Sequence, residues 1–413
     1  MPNLDQAPER ARLAVGAIFF SNGCGLGLWA SHIPIVRRGL DLSEGQLGMA
    51  LLSMAAGAIL AMPSMGWVAN RYGSRRCALV MGLAFTLLLS TPLIALSLPL
   101  LIVATFFLGI ANGSLDVAQT TQGSVVERRL GRPVMSYVNG FFSLGAVTGA
   151  ALAGVLLSSG GPPAALLAAA GVGLAVIVAV ASMYLLPEPE GGAPGDHAFR
   201  LPGRAALLIG LLAFLGVLTE WAMMDWSTVF LSGVLALSPA MAAFGFGAFS
   251  VAMMIGRFTG DRVVAKLGPR RVLQASGVLA GIGVLLLVTA PGPAVAVPGL
   301  ALAGLGLSNL FPILISAAAR LPGMAPSAGV AAVATFAYFG GLIGPVLIGF
   351  GAEVLGLRGA IGLLVLACIA IAAAGFYGAV GRRLATAPRG LSDRSRCRSA
   401  CRRRTPSRPS RGS

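Results

Sequence analysis

Few ionisable residues fall inside the apolar stretches of this chain, and these are where chemistry has to be sought. Asp116 sits in Leu115-Asp116-Val117-Ala118-Gln119, and Asn112, Asp116, Gln119 and Gly123 recur at i, i+4, i+7 and i+11. They therefore share one stripe of a helix. An ionisable group near the middle of an apolar span costs at least about 2.5 kcal/mol, so it is a functional hypothesis by default. Asp116 is read as the first proton-coupling candidate, with a structural acid bonded to a neighbouring helix as the alternative.

Glu220 and Asp225 form the second group. Five positions place them about 140° apart on a helix, so they act separately. At ~1.5 Å per residue from Arg204, Glu220 lies roughly 24 Å along its span and Asp225 near the far end. Glu220 is the second proton-coupling candidate. Asp225, between Trp221 and Trp226, joins the substrate-cavity candidates, with an interfacial or gating role as the alternative. Asn22, Trp29, Asn112, Gln119, Asn139 and Asn309 complete that set, because amides and aromatics bind polar solutes. The same residue types also join helices in lipid, so each is weak alone. His32 reads as an interfacial residue, with a proton relay as the alternative, Trp221 and Trp226 as either interfacial-belt or functional residues, and Glu353 as a water-facing one. No His-Cys metal set, phosphate-cradling glycine loop with lysine, or nucleophile elbow occurs in the sequence. The expectation is a protein that is not an enzyme and uses neither metal nor cofactor.

These residues need long apolar helices to position them. Of 413 residues, 56% are hydrophobic and 11% charged, which excludes an ordinary soluble globule. Runs of about 20 apolar residues recur, each long enough to cross a ~30 Å hydrocarbon core. Twelve spans are expected, near residues 13–33, 45–70, 77–98, 100–123, 136–158, 164–186, 204–233, 239–257, 272–291, 295–318, 328–353 and 358–380. The long seventh is expected to be tilted or locally broken. The net charge of +16 is unevenly placed: the chain start and alternate loops carry 16 basic residues, from Arg10 to Arg320, against Arg37, Arg38 and Arg358 in the others. By the positive-inside rule both ends are cytoplasmic.

Residues 1–186 and 204–381 are expected to form two six-helix bundles, joined by a Pro/Gly-rich linker at 187–203. Residues 382–413 form a tail with 11 arginines and one acid, expected to be disordered and cytoplasmic. Binding to anionic lipid headgroups is one reading of the tail, and fixing the topology is the other. Nucleic acid is not expected as a partner. The five cysteines make no disulfide or zinc framework.

One stretch is repeated. Gly66-Trp67-Val68-Ala69-Asn70-Arg71-Tyr72-Gly73-Ser74-Arg75-Arg76 recurs 190 residues later as Gly256-Arg257-Phe258-Thr259-Gly260-Asp261-Arg262, continuing to Gly268-Pro269-Arg270-Arg271. The glycines at 140, 145, 149 and 154 are echoed by those at 340, 341, 344 and 349, and Gly109–Asp116 by Gly304–Pro312. Parallel repeats of this kind place a site between the halves, near the bilayer midplane.

The repeated stretch resembles the loop between helices two and three of the major facilitator superfamily. That resemblance covers residues 10–385 and implies an all-α membrane fold of two pseudo-symmetric six-helix bundles. It also implies a gating, inter-bundle role for Gly66, Asn70 and Arg71 and for Gly256, Asp261 and Arg262. Asn70 stands where the family carries an aspartate. The second copy keeps Asp261, with four residues between it and Gly256, and runs about one turn longer afterwards. Leu115-Asp116-Val117-Ala118-Gln119 resembles the fourth helix of the fucose-permease branch, near an uncharacterised bacterial inner-membrane subgroup, and implies that Asp116 takes the place of a proton-coupling acid.

The expected protein is thus a monomeric, multi-pass carrier of the cytoplasmic (inner) membrane. It would move a small, sugar-like polar solute by alternating access, with protons and lipid as its other partners. Export of metabolites or drugs is the alternative, and a non-transporting sensor or scaffold the alternative from another class.

Overall fold

A computed structural model describes residues 7–132, 134–186, 204–321 and 326–376. The side chains of Asn70 and Asp261, the 187–203 linker and the 382–413 tail, with Cys397 and Cys401, lie outside the described residues. The helices are α1 (Ala7–Gly39), α2 (Glu44–Tyr72), α3 (Ser74–Leu88), α4 (Leu98–Leu130), α5 (Met135–Ser158), α6 (Pro163–Met183), α7 (Arg204–Gly233), α8 (Pro239–Leu267), α9 (Pro269–Thr289), α10 (Pro293–Leu307), α11 (Leu310–Ala318), α12 (Pro326–Gly362) and α13 (Leu364–Phe376).

Local chemistry accounts for where these helices start and turn. Ser43 and Gln46 form a capping box at the start of α2, which satisfies two backbone N–H groups that the first turn leaves open. Gly73 (φ 87) joins α2 to α3 and Gly268 (φ 81) joins α8 to α9, so both copies of the repeated stretch turn on a glycine in a conformation that a side chain disfavours. Among the described residues, eleven stretches are long and apolar enough to cross a membrane. The last covers Ala332–Gly375, 44 residues, or about 66 Å of helix, twice the hydrocarbon thickness. It breaks at Gly356 (φ 68, ψ 162), giving two passes. Ser308 and Asn309 interrupt the tenth pass between α10 and α11.

The helices gather in two bundles. In the first, α1 packs on α5 and α6, and α4 on α2 and α3; in the second, α7 packs on α12, and α10 on α8 and α9. The apolar stretch of α1 is the most enclosed of the passes, while that of α6 is only one-third buried, as an outer helix of a lipid-embedded protein is. The bundles meet along α5 and α8, α2 and α12, and α1 and α7. The junctions carrying Arg71, Arg75, Arg76, Arg128, Arg129, Arg132, Arg262, Lys266, Arg270, Arg271 and Arg320 mark one end of the molecule, the basic face.

Three expectations change. Helix α7 runs 30 residues without a break, so of the two expectations for its length the local break is excluded and the tilt is the one that stands. Helix α8 runs 10 residues past Arg257, because no glycine with positive φ or proline stops it before Gly268. His32 is fully buried, with Nδ1 2.7 Å from the Leu28 carbonyl, because α1 lies inside the molecule and not against its surface.

Candidate functional site

On α4 the polar stripe faces the interior and is partly tied down. Asn112 lies opposite Asn22 of α1, which donates its Nδ2 to the Asn112 Oδ1 at 2.9 Å. One turn nearer the basic face, the Gln119 Nε2 donates to the Asp116 Oδ1 at 3.2 Å. Gln119 is buried, and its Oε1 has no partner. Asp116 is half-buried, and among the described residues no Lys or Arg stands within ion-pair distance of it. Tyr338 of α12, in the other bundle, lies within reach of its charge. The arrangement puts a carboxyl without a counter-ion, beside amide donors, on the side of the first bundle that looks toward the second.

A second group lies where α7, α8 and α5 meet. Glu220 accepts from the Arg257 Nη2 at 2.8 Å, and the Arg257 Nη1 donates to the Ser143 Oγ at 3.2 Å. The acid and base are only 12% and 25% exposed, so this charge-assisted pair sits largely away from water. Ser143 donates onward to the Asn139 carbonyl at 3.2 Å. Asn139 itself is exposed, with its Nδ2 on the Met135 carbonyl at 2.9 Å. Arg257 is the residue that the sequence reading passed over, counting it among the loop charges. The signal was available: Glu220 inside a span needs a partner, and α8 shows no stop signal at 257.

The remaining residues scatter. Asp225 is half-buried and has no hydrogen bond or ion pair among the described residues. It sits three positions before Thr228, which donates to the Ala30 carbonyl of α1 at 2.7 Å, so it shares the face of α7 that meets the first bundle. Trp29 is buried with its Nε1 unpartnered. Trp226 is fully buried and Trp221 packs over Gly341, so neither is an interfacial belt residue: that part of α7 is enclosed by α12 and its neighbours. Asn309 turns into its own bundle, donating to the Gly256 carbonyl at 3.0 Å.

The two copies of the repeated stretch differ in setting. Gly66 faces open space. Arg71 is exposed, its guanidinium lying over the rings of Trp67 and Tyr72 at 5.5 and 5.7 Å. Gly256 and Gly260 instead pack against Ser308 and Asn309, and Arg262 is exposed. At the face opposite the basic one, α2 and α12 are joined directly: Glu353 accepts from the Ser43 Oγ at 2.7 Å and the Gly45 N–H at 3.1 Å. Glu353, read as merely water-facing, is exposed but bridges the bundles. A surface cavity of about 420 Å³, lined by Ile35, Arg38, Gly39, Leu157, Gly161, Pro163 and Pro239, holds none of the candidate acids.

Residues 15–323 match the family described as Major Facilitator Superfamily. An uncharacterized MFS-type transporter of Yersinia pestis is 35% identical over 86% of this chain and 92% of its own. Membrane protein MosC of Rhizobium meliloti is 31% identical over 88% of this chain and 89% of its own. Among solved structures, the nucleoside transporter NupG superposes with a TM-score of 0.70 at 14% identity, covering 89% of this chain and 98% of that one. A bacterial homolog to the human lysosomal transporter Spinster, inward-facing and occupied, gives 0.69 at 15% identity over 92% and 97%.

Proposed function

The chain belongs to the major facilitator superfamily, and from that premise we propose that it is a secondary transporter that moves a small polar solute by alternating access, coupled to protons through Asp116. The observation that carries this reading is the setting of Asp116: a half-buried carboxyl with an amide donor and, among the described residues, no cation, facing the gap between bundles. Such a group must be protonated, hydrated, or met by polar cargo. Asn22, Asn112 and Gln119 around it supply donors and acceptors suited to hydroxyl-bearing solutes, in line with the fucose-permease-like character of residues 115–119. Glu220, already neutralised by Arg257, is the second coupling candidate and becomes available only when that pair opens. We read the basic face as cytoplasmic by the positive-inside rule, in a protein of the inner membrane.

Purified protein in liposomes tests this. Under an imposed pH gradient the parent accumulates a solute drawn from a panel of sugars, polyols and nucleosides. Asp116→Asn loses that accumulation while retaining solute exchange at equal pH, because cargo contacts persist and the proton site does not. Equal gradient-driven accumulation by both proteins removes Asp116 from coupling. Reversing the gradient separates uptake from extrusion.

A further inference from the structure

Arg257 has two partners that belong to different bundles. Its Nη2 holds Glu220 of α7, a neighbour within the second bundle, at 2.8 Å; its Nη1 reaches Ser143 of α5, in the first, at 3.2 Å. The first contact is an ion pair in a largely dry place, and the second is a longer bond to a neutral hydroxyl, so they differ in strength. The flanking residues differ in the same way: Gly256 packs on Ser308 within the bundle, while the Phe258 ring lies against Gly140 of α5. Any relative movement of the two bundles slides α8 along α5 but carries α7 with it. The Ser143 bond must then break and the Glu220 pair need not.

We propose that Arg257 is a positioning residue that fixes the register of α5 against α8 in this state of the transport cycle, with Glu220 as its holder and Ser143 as the contact surrendered when the bundles rock. This rests on the alternating-access reading and adds to it the residue pair that distinguishes the two states. The Arg257–Glu220 pair presents one aimed donor to the opposite bundle, and Ser143 accepts it while passing its own proton donor to the Asn139 carbonyl. Nothing in this assignment needs the cargo to be known.

The test uses spin-labelled full-length protein in nanodiscs. One label pair replaces exposed Arg128 and Arg320 at the basic face, and another replaces exposed Leu96 and Ala236 at the opposite face. Ser143→Ala is expected to lower the population of the state described here by about ten- to a hundredfold, the loss of one hydrogen bond to a charged group. The basic-face and opposite-face distances then change in opposite senses, and Ser143→Thr restores the parent distribution. The double variant Glu220→Gln/Arg257→Gln, which leaves no unpaired charge, shifts in the same direction as Ser143→Ala. If Arg257 serves only to neutralise Glu220, Ser143→Ala and the double variant keep the parent distances, and the proposal is overturned. Glu353→Gln is the control for alternating access itself: if it moves the distances while Ser143→Ala does not, only the role of Arg257 fails. If no variant moves either distance, the two-state reading fails with it.

Discussion

Asp225 and Glu220 lie on the same helix and meet opposite fates: one carboxyl has a guanidinium 2.8 Å away and the other has no partner among the described residues. The difference sets the sign of what removal does. Glu220→Gln strands Arg257 in a largely dry place and is expected to cost about 3 kcal/mol, while the double variant Glu220→Gln/Arg257→Gln recovers most of it. Asp225→Asn deletes an uncompensated charge and is expected to raise stability by about 1 kcal/mol, at the expense of transport if the residue meets cargo. Thermal unfolding in detergent, followed for all three variants against the parent, checks both signs; a destabilised Asp225→Asn would mean that this carboxyl has a partner in the membrane-embedded protein. The Asn112–Asp116–Gln119 stripe and Asn22 could be read from the sequence because polar residues at helical spacing stand out in an apolar run. Arg257 could not be read in the same way. It lies in a stretch whose other arginines do mark a membrane surface, and only the continuation of α8 to Leu267 places it deeper.

At the scale of elements, the contact between α1 and α5 shows what the glycines are for. Gly23 and Gly27 on α1 lie against the backbone of Phe142 and Ala146, and Gly145 and Gly149 on α5 against that of Phe20 and Cys24. Each helix offers two glycines four apart, and each fits over the other's main chain, the small-residue packing that joins helices where lipid supplies no hydrophobic drive. A side chain at any of the four would displace backbone. Gly149→Val is expected to destabilise the protein by about 1–3 kcal/mol, read as a lower unfolding temperature and a smaller monodisperse yield. The α1–α5 contact anchors Asn22 on one helix and Ser143 on the other, so the same change should also disturb transport. The fifth-span glycines were legible as part of the internal repeat, but their packing partners were not: sequence periodicity gives a face and never the neighbour. The break at Ser308–Asn309 was likewise unreadable, since it depends on the Asn309 side chain finding the Gly256 carbonyl on another helix.

For the molecule as a whole, the number of passes, their order and the two-bundle arrangement followed from composition and the internal repeat, because lipid forces every pass to be a helix. Which end is closed did not follow, since that depends on contacts between segments about 300 residues apart. Glu353 on α12 receives two hydrogen bonds from the first turn of α2, where the helix presents its partial positive charge. Beneath it Gly48 and Gly349 approach closely. Glu353→Gln keeps the shape and removes the charge, and is expected to open this face, measured as a longer Leu96-to-Ala236 spin-label distance; an unchanged distance would assign the closure to the glycine contact alone.

Because that clasp is built from an exposed carboxylate on the tip of a helix, it is also in touch with whatever electrolyte bathes that side. Its bonds of 2.7 and 3.1 Å are far shorter than the ~8 Å screening length of 0.15 M salt, so a rise in ionic strength from about 0.01 M trims the long-range pull on the carboxylate and leaves the contact made. On the alternating-access reading, this side of the protein is then expected to stay shut through ordinary changes in the salinity of the medium that bathes it.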